Sequence, residues 1–116
     1  MQNERAVEKW LNLSSNSEYT GQVYLHRIGK FCKMCKVDLN EILGKWKEVK
    51  YDLKEREEFL EDIRDKIDEF HALLKKEGYS PNYIANCMAS VCSFCKHNRI
   101  PIGEVSYPQQ YAKYHN

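Results

Sequence analysis

Apolar residues recur with the period of an α-helix along most of this chain. The longest run is Leu53 to Lys76, where Leu53, Leu60, Ile63, Ile67, Phe70 and Leu74 share one face. Glu, Asp, Lys and Arg fill most of the remainder at spacings of three or four. This pattern predicts an amphipathic helix with a solvated outer side carrying ion pairs. His71 falls outside the apolar stripe and is expected to be solvated. Gly78 predicts the C-cap, and Gly78-Tyr79 leads directly into the next helix.

That next helix, Ser80 to Arg99, has a different character. Ser80 suits an N-cap and Pro81 the first helical position, where φ is preset and the missing N–H would have had no partner. Ile84, Cys87, Met88, Val91 and Cys95 form one face; Asn82, Asn86, Ser90, Ser93 and His97 oppose them. The 16 residues from Ser80 to Cys95 contain no Asp, Glu, Lys or Arg, although 30% of the chain is charged. An ordinary solvated face would carry about five charges over that length. Two explanations stay open. Either the helix is packed on both sides, or its small amides and hydroxyls meet phosphates and base edges in a DNA major groove, with Lys96, His97 and Arg99 adding positive charge.

Upstream, Glu4 to Leu13 predicts a short helix with an Ala6, Val7, Trp10, Leu11 stripe. Ser14-Ser15-Asn16 interrupts the pattern, and Ser17 can cap a second helix running to about Lys36. Its inward face is Thr20, Tyr24, Ile28, Phe31, Cys32 and Cys35, and its outward face Tyr19, Gln22, His26, Lys30 and Lys33. Glu18 is the one acid of this segment against Arg27, Lys30, Lys33 and Lys36. A basic amphipathic face of this kind meets either water or a polyanion. Asp38 predicts the cap of a short helix through Leu39, Ile42 and Leu43 that frays near Gly44, and Trp46 to Asp52 receives no assignment. After Arg99, Pro101, Gly103 and Pro108 exclude a continuous helix and predict a linker or strap. The expected fold is all-α, with four or five helices and no sheet.

Composition narrows the class. With 116 residues, 42% hydrophobic and 30% charged, the chain is sized for one globular domain with its own core. Its start, MQNERAVEKWLNL, is charged and amphipathic, and no apolar run approaches the roughly 18 residues of a membrane span. A cytoplasmic protein without membrane contact is expected. The net charge of +1 conceals an asymmetry, because Tyr51 to Glu77 holds ten acids against six bases and the rest of the chain is basic. That division is compatible with a polyanion on one side.

Five cysteines without an export signal predict reduced thiols. Cys32-Lys-Met-Cys35 and Cys92-Ser-Phe-Cys95 have the C-x-x-C spacing of zinc ligands. Both pairs lie inside helical patterns with Cys32, Cys35 and Cys95 on apolar faces, which favours core packing over a four-cysteine zinc clamp. No cofactor is expected. His26, His71, His97 and His115 are scattered, without the spacing of a catalytic triad or carboxylate pair, so no enzymatic site is expected.

Two stretches resemble the same family. In SSNSEYTGQVYLHRIGKFCKMCKVDLNEI, Ser17, Thr20, Tyr24, Ile28 and Phe31, followed by Asp38-Leu39, are similar to the opening of the core-binding, SAM-like domain of tyrosine recombinases, the phage-type integrases. In EGYSPNYIANCMASVCSFCKHNRIPI, Gly78, Ser80, Asn82, Asn86, Ser90, Phe94, Ile100, Pro101 and Ile102 are similar to the last helix of that domain and its exit. The likeness covers about residues 7 to 103 through a loose pattern. The Leu53 to Lys76 helix is longer than the family's, and Pro81 stands where Thr is common.

The resemblance implies a four- to five-helix core-binding bundle over residues 1–103, followed in 104–116 by the start of a linker to a catalytic domain absent from this chain. It implies a non-catalytic DNA-binding domain of a site-specific recombinase, clamping one face of double-stranded DNA during integration or excision of a mobile element. Tyr107, Tyr111 and Tyr114 are then not nucleophiles. Partners would be duplex DNA, the catalytic domain of the same protein and other copies assembled on DNA, at the nucleoid. Ser17, Thr20, Ser80 and Asn82, with the helix N-termini at Ser17 and Ser80, are candidate phosphate contacts. Lys30, Lys33, Lys96 and Arg99 are candidates for salt-dependent attraction, and His26, Asn86 and Ser90 for base edges. Tyr19, Tyr83 and His97 complete the candidate set. The competing expectation is a helical protein-interaction domain, or a zinc-pinned structural domain, that does not bind DNA.

Overall fold

The computed structural model describes residues 18–103, with side chains from residue 23 onward. The expected helix at Glu4 to Leu13, the Ser17 cap and the 104–116 linker lie outside the described residues. Four helices follow one another: α1 (Glu18–Cys35), α2 (Leu39–Val49), α3 (Leu53–Lys76) and α4 (Pro81–His97). No strand occurs among the described residues. The described residues form an all-α four-helix bundle.

Its boundaries follow local chemistry. The Asp38 carboxylate accepts from the Asn40 N–H at 2.7 Å, Asp52 from the Glu55 N–H at 2.9 Å, and the Ser80 hydroxyl from the Tyr83 N–H at 3.1 Å. Each satisfies an N–H that the first turn of its helix leaves without a partner. Three helices end in a residue with positive φ: Lys36 (56°), Gly78 (87°) and Arg99 (59°). At each, the following N–H reaches back to a carbonyl in the last turn, as in Val37 to Cys32 (3.0 Å), Tyr79 to Leu74 (3.2 Å) and Ile100 to Cys95 (2.9 Å). This is the Schellman closure, in which glycine is the comfortable occupant.

The core is organised along α3, about 36 Å long, which packs against each of the other three helices. Ile67, Phe70 and Leu74 are fully buried within it. Phe31 of α1 meets Phe70 with ring centroids 5.2 Å apart, and Trp46 of α2 meets Phe59 at 5.6 Å. Helix α4 packs on both α1 and α3, burying Ile84, Cys87, Met88, Val91, Phe94 and Cys95. Beyond it, Ile100 and Ile102 return to the core, and Arg64 of α3 donates from Nε to the Ile102 carbonyl at 2.8 Å.

Four positions differ from expectation. Helix α2 does not fray at Gly44 but continues to Val49, because the extra turn buries Trp46 and Val49. Their removal from water outweighs the propensity cost of about 1 kcal/mol for one helical glycine. Leu53, expected in the apolar stripe of α3, is 76% exposed, since α3 starts one turn before its partners reach it. His71, expected in solvent, is 7% exposed: it lies beside Phe70 on a helix covered from three sides. Ser90, assigned to an outer face, is 2% exposed because α4 is flanked by both α1 and α3.

Two predictions follow from these packing details. A Cβ added at Gly44 meets nothing within 4 Å, so Gly44→Ala should raise stability by about 0.5–1 kcal/mol, read as a higher urea midpoint with an unchanged m-value. Burial lowers the pKa of His71 from its ordinary value, assisted by Lys75 and opposed by Asp68. The unfolded chain therefore binds the extra proton first, and the stability this histidine contributes is present above pH 6.5 and declines as the pH falls below it. Between pH 7.5 and 5.5 the urea midpoint of the wild type should fall more steeply than that of His71→Gln.

Candidate nucleic-acid interface

The basic face of α1 and the start of α4 form one surface, joined through Tyr79. The Lys30 ammonium donates to the Tyr79 hydroxyl at 2.8 Å and lies 4.8 Å from the ring centroid, so it sits at the hydroxyl end of the ring and the hydrogen bond positions it. That bond raises the Lys30 pKa from its ordinary value, and the lysine remains charged at neutral pH. Tyr79 in turn stacks on Tyr83 of α4, with centroids 4.7 Å apart and planes 23° from parallel. Next to this chain runs a groove of about 600 Å³ whose wall includes His26, Lys30, Lys33 and Tyr79, with Glu77 as its acid and Leu25 half exposed.

The candidate residues are distributed unequally. His26 and Lys33 are exposed on α1, and Lys30 is half-buried between them and Tyr79. Ser80 and Asn82 are exposed at the start of α4, while Tyr83 and Asn86 are half-buried. Tyr19 and Thr20 belong to α1 ahead of the described side chains. The assignment of Ser90 to a base contact is overturned: its hydroxyl donates to the Asn86 carbonyl at 3.1 Å inside the bundle. Packing thus accounts for the buried side of α4, while Asn82 and Ala89 are exposed and Asn86 and Ser93 half-buried on its other side. Lys96, His97 and Arg99 lie at the other end of α4, roughly 24 Å away at 1.5 Å per residue. They are not part of the Tyr79 surface. Arg99 lines a separate cleft with Lys47, Lys50 and Arg56.

Tyr79, which joins α1 to α4 through Lys30 and Tyr83, is absent from the candidate set. Its signal in the sequence was slight, a single tyrosine in a two-residue connection, and its pairing with Lys30 spans 49 residues.

The cysteines serve the core. Cys35, Cys87 and Cys95 are buried, and Cys32 and Cys92 are half-buried; all five are free thiols. The Cys35 thiol donates to the Lys66 carbonyl of α3 at 3.5 Å. Among the described residues no three His, Cys, Asp or Glu side chains are placed to hold a metal ion, so the four-cysteine zinc clamp has no ligand cluster. Burial pushes the Cys35 thiol up to about 11 and the Cys95 thiol up to about 12, which keeps both protonated and unreactive near neutrality. No helix among the described residues is long and apolar enough to cross a membrane.

Comparisons of the chain with protein-family models, with curated proteins and with solved structures return no match.

At pH 8, iodoacetamide should leave Cys35 and Cys95 unmodified in the folded protein and label all five cysteines in urea. Peptide mass mapping after timed quenching checks this, and rapid labelling of Cys95 without denaturant would contradict its burial.

Proposed function

We propose that this chain is the non-catalytic, duplex-DNA-binding helical domain of a site-specific tyrosine recombinase, acting during integration or excision of a mobile element. The observation that carries the reading is the Lys30–Tyr79 hydrogen bond, which makes the lysine-bearing side of α1 continuous with the Ser80-capped start of α4. A backbone phosphate approaching the exposed first turn of α4 would meet the Asn82 N–H, since Pro81 has none and that of Tyr83 is held by Ser80, together with the Ser80 and Asn82 side chains and the nearby positive charge. Lys33 extends that field along the groove, and His26 adds an imidazole to its wall. The resemblance of residues 7 to 103 to the core-binding domain supplies the reaction class, and the catalytic residues would then belong to another domain of the same protein in the cytoplasm. Few cations contribute, so the isolated domain should bind non-specifically, with Kd roughly 10⁻⁴ to 10⁻⁶ M at physiological salt.

A second reading, a helical protein-interaction domain, draws on Leu25, half exposed beside the groove. Titration with a 20-base-pair duplex at two salt concentrations separates the two. Lys30→Ala/Lys33→Ala should weaken binding to all sequences and lower the salt slope by about 1 to 2. Asn82→Ala should weaken binding without altering that slope. Unchanged duplex affinity in both variants would remove the Tyr79 surface as the interface and favour the protein-interaction reading.

A further inference from the structure

At the end of the bundle remote from Tyr79, the α2–α3 turn and the C-terminus of α4 enclose a cleft of about 320 Å³. Lys47, Lys50, Arg56 and Arg99 line it from three separate segments, and no acidic side chain does. None of the four makes an ion pair with a described residue. Like charges converging without counter-charges repel one another, an arrangement relieved by an anion.

Three details point to the kind of anion. Arg56 lies with its guanidinium carbon 5.6 Å from the Trp46 ring centroid, and its Nε is fully buried without a hydrogen-bond acceptor. Nε itself is sealed from solvent, so the other guanidinium N–H groups of Arg56 are the ones an oxyanion in the cleft would meet. Tyr51 stands at the mouth of the cleft, 88% exposed, with the Lys50 ammonium 5.1 Å from its ring centroid. A large, solvated aromatic face beside a cluster of cations is the arrangement on which nucleic-acid bases stack. Finally, Arg99 occupies the left-handed position that closes α4, with φ 59°, whereas the equivalent position after α3 is Gly78. A long side chain is held there at a conformational cost that glycine would avoid, and it brings a guanidinium to the cleft.

We propose that this cleft binds a nucleotide unit, its phosphate held among Lys47, Lys50, Arg56 and Arg99 and its unpaired base stacked on Tyr51. The volume suits one such unit, at the small end of ligand sites. The site is distinct from the surface of α1 and does not depend on duplex binding there. A free mononucleotide and an unpaired position in a single strand present the same chemistry.

The test uses the full chain and four probes: inorganic phosphate, AMP, a 12-nucleotide single strand and a blunt-ended 12-base-pair duplex without unpaired bases. Binding is followed by calorimetry and, for the oligonucleotides, by fluorescence anisotropy. Tyr51→Ala should leave phosphate binding unchanged while weakening AMP and single-strand binding about fivefold or more. Arg56→Gln should weaken all three. Arg99→Gly should raise the Tm, through relief of its left-handed conformation, and still weaken phosphate binding. Binding of AMP without the single strand would identify the free nucleotide as the source; tighter binding of the strand would identify nucleic acid. Because Tyr51 is so exposed, its variant remains folded and informative even if Arg56→Gln is not. The proposal is overturned if the wild type binds neither AMP nor the single strand, or if Tyr51→Ala and Arg99→Gly leave both affinities unchanged. It is equally overturned if Tyr51→Ala weakens the blunt-ended duplex as much as the single strand, since the cleft would then be a duplex backbone contact.

Discussion

Ile67, Phe70 and Leu74 are withdrawn from solvent by helices that approach α3 from different directions. A single rod therefore has to offer apolar surface to α1, α2 and α4 at once while keeping enough charge elsewhere to stay solvated. This constraint explains the width of its buried surface, which takes in Phe59 and His71 besides the main stripe. It also explains why the side of α4 wedged against α1 and α3 carries no charge. Everything at the surface is positioned by how those three helices seat on α3.

Both proposed contact regions lie where α3 ends. Its C-terminal turn leads through Gly78 to Tyr79 and so to Lys30, and its N-terminal turn brings Arg56 over Trp46. The acids of α3 run from its N-cap Asp52 and first turns, at Glu55, Glu57 and Glu58, through Glu69, and its last turn carries Lys75 and Lys76 instead. A formal charge near zero is consequently uninformative about local potential. The acids of α3 lie along its solvated side, and the folded shape brings Lys47, Lys50 and Arg99 from other segments to the cleft beside Arg56.

Much of this architecture was legible in the sequence, and the exceptions share a cause. The bounds of α3 and the caps at Asp38 and Ser80 are local chemistry and match expectation, while Gly78 lies one residue past the Glu77 cap and α4 ends at His97, two residues before the expected Arg99. The apolar stripes of α1 and α4 also identified the core residues Ile28, Phe31, Cys87, Val91 and Cys95. Gly44, Leu53, His71 and Ser90 were misread because each depends on how many neighbours a helix acquires, which periodicity along one segment does not encode. The α2–α3 region from Trp46 to Asp52 was opaque for the same reason: its helical turn exists to bury Trp46 against Phe59, a residue in another helix. Tyr79 and Arg56 became candidates only once their long-range partners were in place.

Arg64 grips the carbonyls of Pro101 and Ile102, at 3.5 and 2.8 Å, while Ile100 and Ile102 are sunk in the core and Gly103 turns the backbone with φ 78°. The polypeptide emerging past α4 is thereby clamped to the middle of the longest helix instead of swinging from a frayed end. Any load transmitted along that exit is delivered to the spine of the bundle, so its bearing is fixed like a mast stepped in a keel.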